Sequence, residues 1–209
     1  MSPSALISPL PPSLDQMAVA PLQLGVLASG SGSNFEAILT AIVQGHLQAT
    51  VKVLIYNNPE AKVADRADRW GIPKVLLDHR TFGQREDLDH AIVSVFQTHG
   101  VDWVVMAGWM RIVTPELINA YPQRIVNIHP SLLPAFKGIR AIEQALTAGV
   151  AIAGCTVHLV EPEVDSGRIL MQAAVPVLPE DTPATLQARI QVQEHHIFPA
   201  ALQRLALDG

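Results

Sequence analysis

Apolar residues follow two alternating patterns along the chain, and these patterns predict strands that alternate with helices. Short apolar runs such as 22–28 are typical of buried strands, whereas spacings of three and four, as between Phe35, Ile38, Leu39 and Ile42, indicate a helix. Strands are predicted at 22–28, 51–56, 73–78, 103–107 and 124–128. Helices are predicted between Phe35 and Gly45, at 61–70, at 85–99, after Pro115 and at 138–148.

The pattern changes after Gly149. Residues 153–160 and 168–177 predict two further strands, which follow each other without an intervening helix. Strands that alternate with helices form parallel sheets covered on both faces, whereas consecutive strands pair in an antiparallel manner. The predicted fold class is therefore α/β: a single-domain, Rossmann-like three-layer sandwich, with a mostly parallel sheet and an antiparallel C-terminal part.

Both ends of the chain carry boundary signals. Thr182 as N-cap and Pro183 at the first helical position open a last helix, which Pro199 is expected to kink or restart. Residues 1–21 are rich in Pro and Ser and contain no Lys or Arg, which argues against a secretory signal or a transit peptide. We expect a flexible leader there, followed by one folded domain over 22–209.

Composition and charge argue against several classes of protein and of binding partner. Of the 209 residues 49% are hydrophobic and 16% are charged, which argues against disorder. The formal net charge is -5 and Lys and Arg do not cluster, so no nucleic-acid partner is expected. No apolar run approaches the roughly 18 residues of a membrane-spanning helix, so no membrane contact is expected either.

The metal-binding and thiol residues are few. The single cysteine, Cys155, excludes a disulfide framework and fits a reducing cytosol, so we expect a cytoplasmic protein. Cys155 falls within a predicted strand, which favours packing over catalysis. His195 and His196 have no partner at metal-ligand spacing, so no metal is expected.

The turn at 29–34, Ser-Gly-Ser-Gly-Ser-Asn, is the first candidate site. It leads directly into a helix N-terminus, whose partial positive charge favours an anion. Phe35 stands where a dinucleotide fingerprint has its third glycine, and no Lys follows as a P-loop requires. We expect this turn to bind phosphate, and the alternative is a strand-to-helix turn without a ligand.

The stretch 127–134, Asn-Ile-His-Pro-Ser-Leu-Leu-Pro, is the most informative. Strand side chains alternate, so Asn127 and His129 point the same way at the carboxyl end of a strand, where parallel sheets bind ligands. An amide beside a protonated imidazole can stabilise an oxyanion and pass a proton. The alternative is a structural histidine in a rigid loop.

A protonated His129 requires a nearby anion. Asp165 is the best candidate, because it lies in a Gly-containing loop between two predicted strands. Glu161 and Glu163 lie in the same loop and remain alternatives, since spacing alone does not choose among the three. Each of them could equally be a solvated loop charge.

A loop with apolar side chains follows the fourth strand. Met110, Ile112 and Val113 either belong to the core or line a flat aromatic ligand. Arg111 in the same loop could pair with a carboxylate. Arg85, which opens the preceding helix, could do the same or lie on the surface.

Together these segments resemble the glycinamide ribonucleotide formyltransferases of purine synthesis. The resemblance covers roughly residues 22–205, and its motifs come in the family's order at 29–34, 107–112, 127–134, 165–167 and 193–195. It implies direct transfer of the formyl group of 10-formyltetrahydrofolate, as co-substrate and without a metal, to the amine of the ribonucleotide. Asn127 and His129 would stabilise the oxyanion, and Asp165 would raise the pKa of His129.

The resemblance also implies a set of substrate contacts. The phosphate would bind Gly32, Ser33 and Asn34, and Glu194 would help to hold the ribonucleotide. The folate would contact Arg85, Met110, Arg111, Ile112, Val113 and Asn127. One position departs from the family, because many members carry a His where this chain has Arg140.

Three alternatives to this function remain. A formyltetrahydrofolate hydrolase shares the Asn–His–Asp set but usually carries an extra N-terminal regulatory domain. A methionyl-tRNA formyltransferase would need a C-terminal domain and a basic surface. A non-catalytic phosphate-binding module belongs to another class. We expect small-molecule substrates as partners, and the sequence leaves open whether the protein is a monomer or a homodimer.

Overall fold

The computed structural model describes residues 6–12 and 20–208. Strands in these ranges, numbered in chain order, are β1 (Leu6–Ser8), β2 (Leu22–Ala28), β3 (Ala49–Tyr56), β4 (Lys74–Leu76), β5 (Trp103–Met106), β6 (Ile125–His129), β7 (Ile152–Leu159) and β8 (Ile169–Pro176). Helices are α1 (Ser33–Val43), α2 (Val63–Trp70), α3 (Arg85–Thr98), α4 (Pro115–Ala120), α5 (Ala141–Ala148) and α6 (Pro183–Asp208), with a short 3-10 helix at His79–Thr81.

All strands of the described ranges join one sheet, in the order β1-β8-β7-β6-β5-β2-β3-β4. The pairs among β2, β3, β4, β5 and β6 are parallel. The pairs β6–β7, β7–β8 and β8–β1 are antiparallel. The predicted α/β fold, with a mostly parallel sheet and an antiparallel C-terminal part, is therefore confirmed.

Helices cover both faces of the sheet, so the fold has three layers with a hydrophobic core on each side of the sheet. Phe35 of α1 and Phe198 of α6 are fully buried in the larger core, to which α2 and α5 also contribute. Phe96 of α3 and Leu117 of α4 are fully buried in the other core. Since both faces are covered, polar chemistry is confined to the ends of the strands.

The helix at 138–148 begins later than predicted. Gly138 and Arg140 have φ values of 78° and 58°, in the left-handed region, so α5 can begin only at Ala141. Of the two alternatives predicted for Pro199, a kink or a restart of the last helix, the restart is wrong, because α6 is one helix that contains this proline. Buried neighbours on both sides of Pro199, Phe198 and Ala201, hold the helix together despite the missing N–H.

The structure also differs from the expected leader at residues 6–8. These residues pair with β8 as an antiparallel edge strand, with Leu6 opposite Ala174 and Ser8 opposite Gln172. Ile7 packs against the larger core. The backbone groups along the edge of β8 need partners, and this short segment supplies them. The leader positions 1–5 and 13–19 lie outside the described residues.

No helix within the described ranges combines the length and the apolar character needed to cross a membrane.

Candidate active site

A cavity of about 520 Å³ opens at the carboxyl ends of β2, β5 and β6. Its walls include the turn 29–34, the loop 106–113, the end of β6 and residues of α6. This volume lies within the usual range for small-molecule sites. The location is the one that parallel α/β sheets use for their ligands.

His129 is buried at the end of β6, and each of its ring nitrogens faces an oxygen. Nε2 lies 2.9 Å from the carbonyl oxygen of Phe136. Nδ1 lies 3.3 Å from Oδ2 of Asp165. Carbonyl and carboxylate oxygens both accept hydrogen bonds, so these two contacts fix the orientation of the ring.

Asp165 is held in a strained backbone conformation, with a φ of 50°. Its Oδ2 also accepts a hydrogen bond of 2.8 Å from the backbone N–H of Gly138, and its Oδ1 lies 3.6 Å from Nε2 of His158. Strain of this kind in a residue other than glycine clusters at functional sites. The loop therefore aims this carboxylate into a buried cluster with His129.

The other two carboxylates of the loop form no ion pair with His129 within the described residues, although Glu161 also lines the cavity. Glu161 and Glu163 are exposed, and Glu163 forms an ion pair of 2.9 Å with Lys137. Of the three candidates, the structure brings only Asp165 into contact with His129.

Asn127 is oriented by a histidine on the neighbouring strand. Asn127 and His158 lie opposite each other in the β6–β7 pairing, with Nδ2 of the amide 3.2 Å from Nε2 of the ring. His158 Nδ1 lies 2.8 Å from the carbonyl oxygen of Leu159, so Nδ1 donates there and Nε2 accepts from the amide. The second amide hydrogen of Asn127 remains for a ligand in the cavity that this residue lines.

Burial lowers the pKa of His158, although the hydrogen bond to Leu159 and the charge of Asp165 act in the opposite direction. His158 is 2% exposed. The lowered pKa favours the neutral ring that can accept from Asn127.

The turn between β2 and α1 faces α6 across the cavity. Gly32 is the N-cap of α1 with a φ of 74°, and a Cβ at this position would overlap the side chain of Val63. Asn34 is buried and donates a hydrogen bond of 2.9 Å from Nδ2 to Oε2 of Glu194. Burial raises the pKa of the Glu194 carboxyl, against the hydrogen bond from Asn34. Asn34 Oδ1 has no partner within the described residues.

Two residues of the cavity were not found from the sequence. His158 becomes visible only once the register of β6 against β7 places it opposite Asn127. Gln191 lies one helical turn before Glu194, and its Nε2 donates a hydrogen bond of 2.8 Å to Oγ of Ser33. The spacing of Gln191 and Glu194 on one helix face was the available signal for the second.

Some side chains of the loop after β5 line the cavity, and others lie in the core. Met110 and Ile112 are 75% and 55% exposed and line the cavity, so the interpretation of these two as core residues is wrong. Val113 is buried in the core of α3 and α4, although it also borders the cavity. Arg111 lines the cavity, whereas Arg85 lies exposed at the first position of α3, outside the lining.

Neither a metal cluster nor a thiolate is evident in this region. Within 6–12 and 20–208, no group of three or more His, Cys, Asp or Glu side chains is placed to hold a metal ion. Cys155 is fully buried, and burial raises the pKa of its thiol. Its environment is the one expected for a packing residue.

Comparison with known proteins identifies the family of this chain. A family model described as formyl transferase matches residues 22–202. The chain belongs to the formyl transferase family.

Relatives within the formyl transferase family are similar over most of this chain. Phosphoribosylglycinamide formyltransferase of Bacillus subtilis is 39% identical, over 88% of this chain and 94% of that protein. The human trifunctional purine biosynthetic protein adenosine-3 is 43% identical over 88% of this chain, which spans only 18% of the human protein. A crystal structure of glycinamide ribonucleotide transformylase 1 from Symbiobacterium toebii is 45% identical with a TM-score of 0.88, covering 89% of this chain and 88% of that one. The resemblance seen in the sequence is thereby confirmed.

Proposed function

We propose that this protein transfers the formyl group of 10-formyltetrahydrofolate to the amine of N1-(5-phosphoribosyl)glycinamide, a step of de novo purine synthesis. The observation that carries the proposal is that one cavity contains both the cluster of Asn127, His129 and Asp165 and the turn at 29–34. A formyl-transfer centre and an anion site are therefore close enough for one substrate to reach both. The Bacillus subtilis relative named for this activity, matched over nearly its whole length, supports the assignment.

The ribonucleotide binds on the side of the turn. Gly32, Ser33 and Asn34 receive its phosphate, because their backbone amides lie at the positive end of α1. Glu194 contacts the remainder of the ribonucleotide from α6, where its carboxylate can accept hydrogen bonds from hydroxyl groups.

The folate binds on the opposite side of the cavity. The exposed side chains of Met110 and Ile112 offer an apolar surface for the pterin, next to Val113 and Asn127. Arg111 and Arg85 are the cations proposed to pair with folate carboxylates. Arg85 would reach only the outer end of the molecule, since it lies outside the cavity lining.

The chemistry is a direct displacement at the formyl carbon. The substrate amine attacks this carbon, a new C–N bond forms, and the carbonyl oxygen becomes an oxyanion. The Asn127 amide donates a hydrogen bond to that oxyanion. The His129 imidazolium donates to it from Nε2, which exchanges the carbonyl oxygen of Phe136 for the substrate oxygen. Asp165 favours the charged form of His129 by its own negative charge. The C–N10 bond then breaks, and the proton lost by the amine goes to N10 by way of His129, Asp165 or water.

The proposed enzyme needs neither a covalent intermediate nor a metal. Cys155 lies within the core of the sheet, away from the cavity lining. Residues 22–209 form the formyltransferase domain in this proposal, and they act in the cytoplasm on small molecules, as a monomer or a homodimer.

The test is release of tetrahydrofolate from 10-formyltetrahydrofolate, measured with and without the ribonucleotide. We expect release only when the amine is present. Equal release without the amine would replace the transferase by a hydrolase. His129→Ala should abolish release, whereas His90→Ala, which changes an exposed histidine of α3, should not. Full activity in His129→Ala would remove this histidine from the mechanism, whereas no release by the unchanged protein, together with phosphate binding, would favour the non-catalytic phosphate-binding module.

A further inference from the structure

The turn that is proposed to hold the phosphate provides no cation of its own. It offers backbone N–H groups, hydroxyls and the amide of Asn34. Arg66, behind the turn, already donates from Nε to the Ser31 carbonyl at 2.7 Å and from Nη1 to Glu36 at 2.6 Å. A phosphate monoester carries close to two negative charges at neutral pH. A second source of positive charge would therefore strengthen this site.

Arg140 is a cation in the wall of the same cavity. Its side chain is exposed and, within the described ranges, forms neither an ion pair nor a hydrogen bond. Its backbone is left-handed, with a φ of 58°, and it is the N-cap of α5. A cation at this end of a helix is opposed by the helix dipole, so local structure does not explain its presence.

Arg140 stands on the same side of the sheet as the turn. Ile142 of α5, Phe35 of α1 and Ile190 of α6 belong to one core, and α6 packs against both α1 and α5. The N-termini of α1 and α5 therefore open on the cavity from the same layer. Arg111 reaches the cavity from the loop after β5, next to Met110 and Ile112.

We infer that the guanidinium of Arg140 binds the phosphate of the ribonucleotide opposite the turn at 29–34, and that Arg140 sets the affinity for phosphorylated substrate. This inference rests on the proposed function. Arginine suits the role because its planar donor fork matches phosphate oxygens with two hydrogen bonds. The unpaired state of Arg140 leaves this fork free for the substrate.

The kinetic test compares Arg140→Gln and Arg140→Lys with the unchanged protein. Arg140→Gln should raise KM for the ribonucleotide about tenfold, the usual order for loss of a charge-assisted hydrogen bond, and should leave kcat within about threefold. KM for 10-formyltetrahydrofolate should not change. Arg140→Lys should recover part of the loss, since it keeps the charge but not the fork. Arg124→Gln, at an exposed arginine just before β6, is the matched control.

A binding measurement separates this inference from the proposed function. Calorimetric titration with ribose 5-phosphate and with inorganic phosphate should show about tenfold weaker binding to Arg140→Gln than to the unchanged protein. Equal binding to both proteins, or a rise in KM for the folate alone, would overturn the role of Arg140. Weaker binding in a protein that shows no amine-dependent release would support the anion site and reject the formyl-transfer proposal.

Discussion

The carboxylate of Asp165 lies 3.3 Å from Nδ1 of His129, while the carbonyl oxygen of Phe136 lies 2.9 Å from Nε2 of the same ring. The imidazole is thus held between two acceptors. The ring cannot rotate without leaving one acceptor unmatched. One of the two acceptors that orient His129 is thus a single side chain in the loop between β7 and β8.

Replacing Asp165 by Asn should lower turnover by about 10²-fold, because the amide carries no charge to favour the imidazolium. Steady-state kinetics at pH 7, with KM values for both substrates, would measure the effect. Glu163→Gln in the same loop is the control and should keep its rate, because Glu163 is exposed and pairs with Lys137. An unchanged rate for Asp165→Asn together with a loss in Glu163→Gln would transfer the role to Glu163.

His158 is predicted to act as a positioning residue through Asn127. His158→Leu removes the acceptor of the Asn127 amide, and we expect kcat to fall about tenfold, equivalent to roughly 1.4 kcal/mol of transition-state stabilisation. His158→Gln offers a side-chain oxygen at a similar place and should recover part of the rate. If both variants lost thermal stability but kept kcat, His158 would have only a structural role.

Gly32 and Gly30 offer a matched pair within the phosphate turn. Gly32→Ala forces a left-handed alanine against Val63, which should cost roughly 1–3 kcal/mol and displace the turn. KM for the ribonucleotide should then rise at least about tenfold, measured beside chemical unfolding. A Cβ at Gly30 meets no protein atom within 4 Å, so Gly30→Ala should keep the free energy of unfolding of the unchanged protein and should raise this KM less than Gly32→Ala. Equal KM values for the two variants would argue against phosphate binding at this turn.

Ionisation of the buried Glu194 carboxyl should lower the free energy of unfolding as the pH rises. Burial raises the pKa of its carboxyl above the ordinary value for a glutamate, so the folded protein binds this proton more tightly than the unfolded chain. The favourable contribution is complete below about pH 4.5 and is lost as the pH rises through the pKa of the folded state.

Glu194→Gln should therefore increase the free energy of unfolding at pH 8, by on the order of 1 kcal/mol, and much less near pH 4. Urea unfolding at both pH values would measure it, and Glu180→Gln, at an exposed glutamate, should show no such difference. KM for the ribonucleotide should rise in Glu194→Gln, because a site residue is lost. A gain of equal size at both pH values would mean that ionisation is not the cause.

The central part of the fold could be predicted from the sequence because its strands are continuous apolar runs. Leu22–Ala28 was predicted with its observed bounds for this reason. Leu6–Ser8 carries no such signal, since three residues form a strand only where an existing edge accepts them. The continuity of α6 at Pro199 likewise depends on packing against the sheet, which outweighs the local preference of proline.

The sequence also predicts some residues of the candidate site and not others. Asn127 and His129 could be predicted together, because strand alternation puts residues two apart on one side. Asp165 could not be separated from Glu161 and Glu163, because the choice depends on a backbone φ of 50° that no local pattern specifies. His158 depends on the register of two strands that are distant in sequence.

The short strand β1 has a practical consequence for handling the protein. Leu6–Ser8 covers Ala174, Ala173 and Gln172 along the outer side of β8. A shortened chain that began at residue 20 would leave this row of backbone groups open to pairing with another molecule, which is a common route to aggregation. Trimming the amino terminus for crystallisation would then lower solubility, although every residue of the cavity would remain.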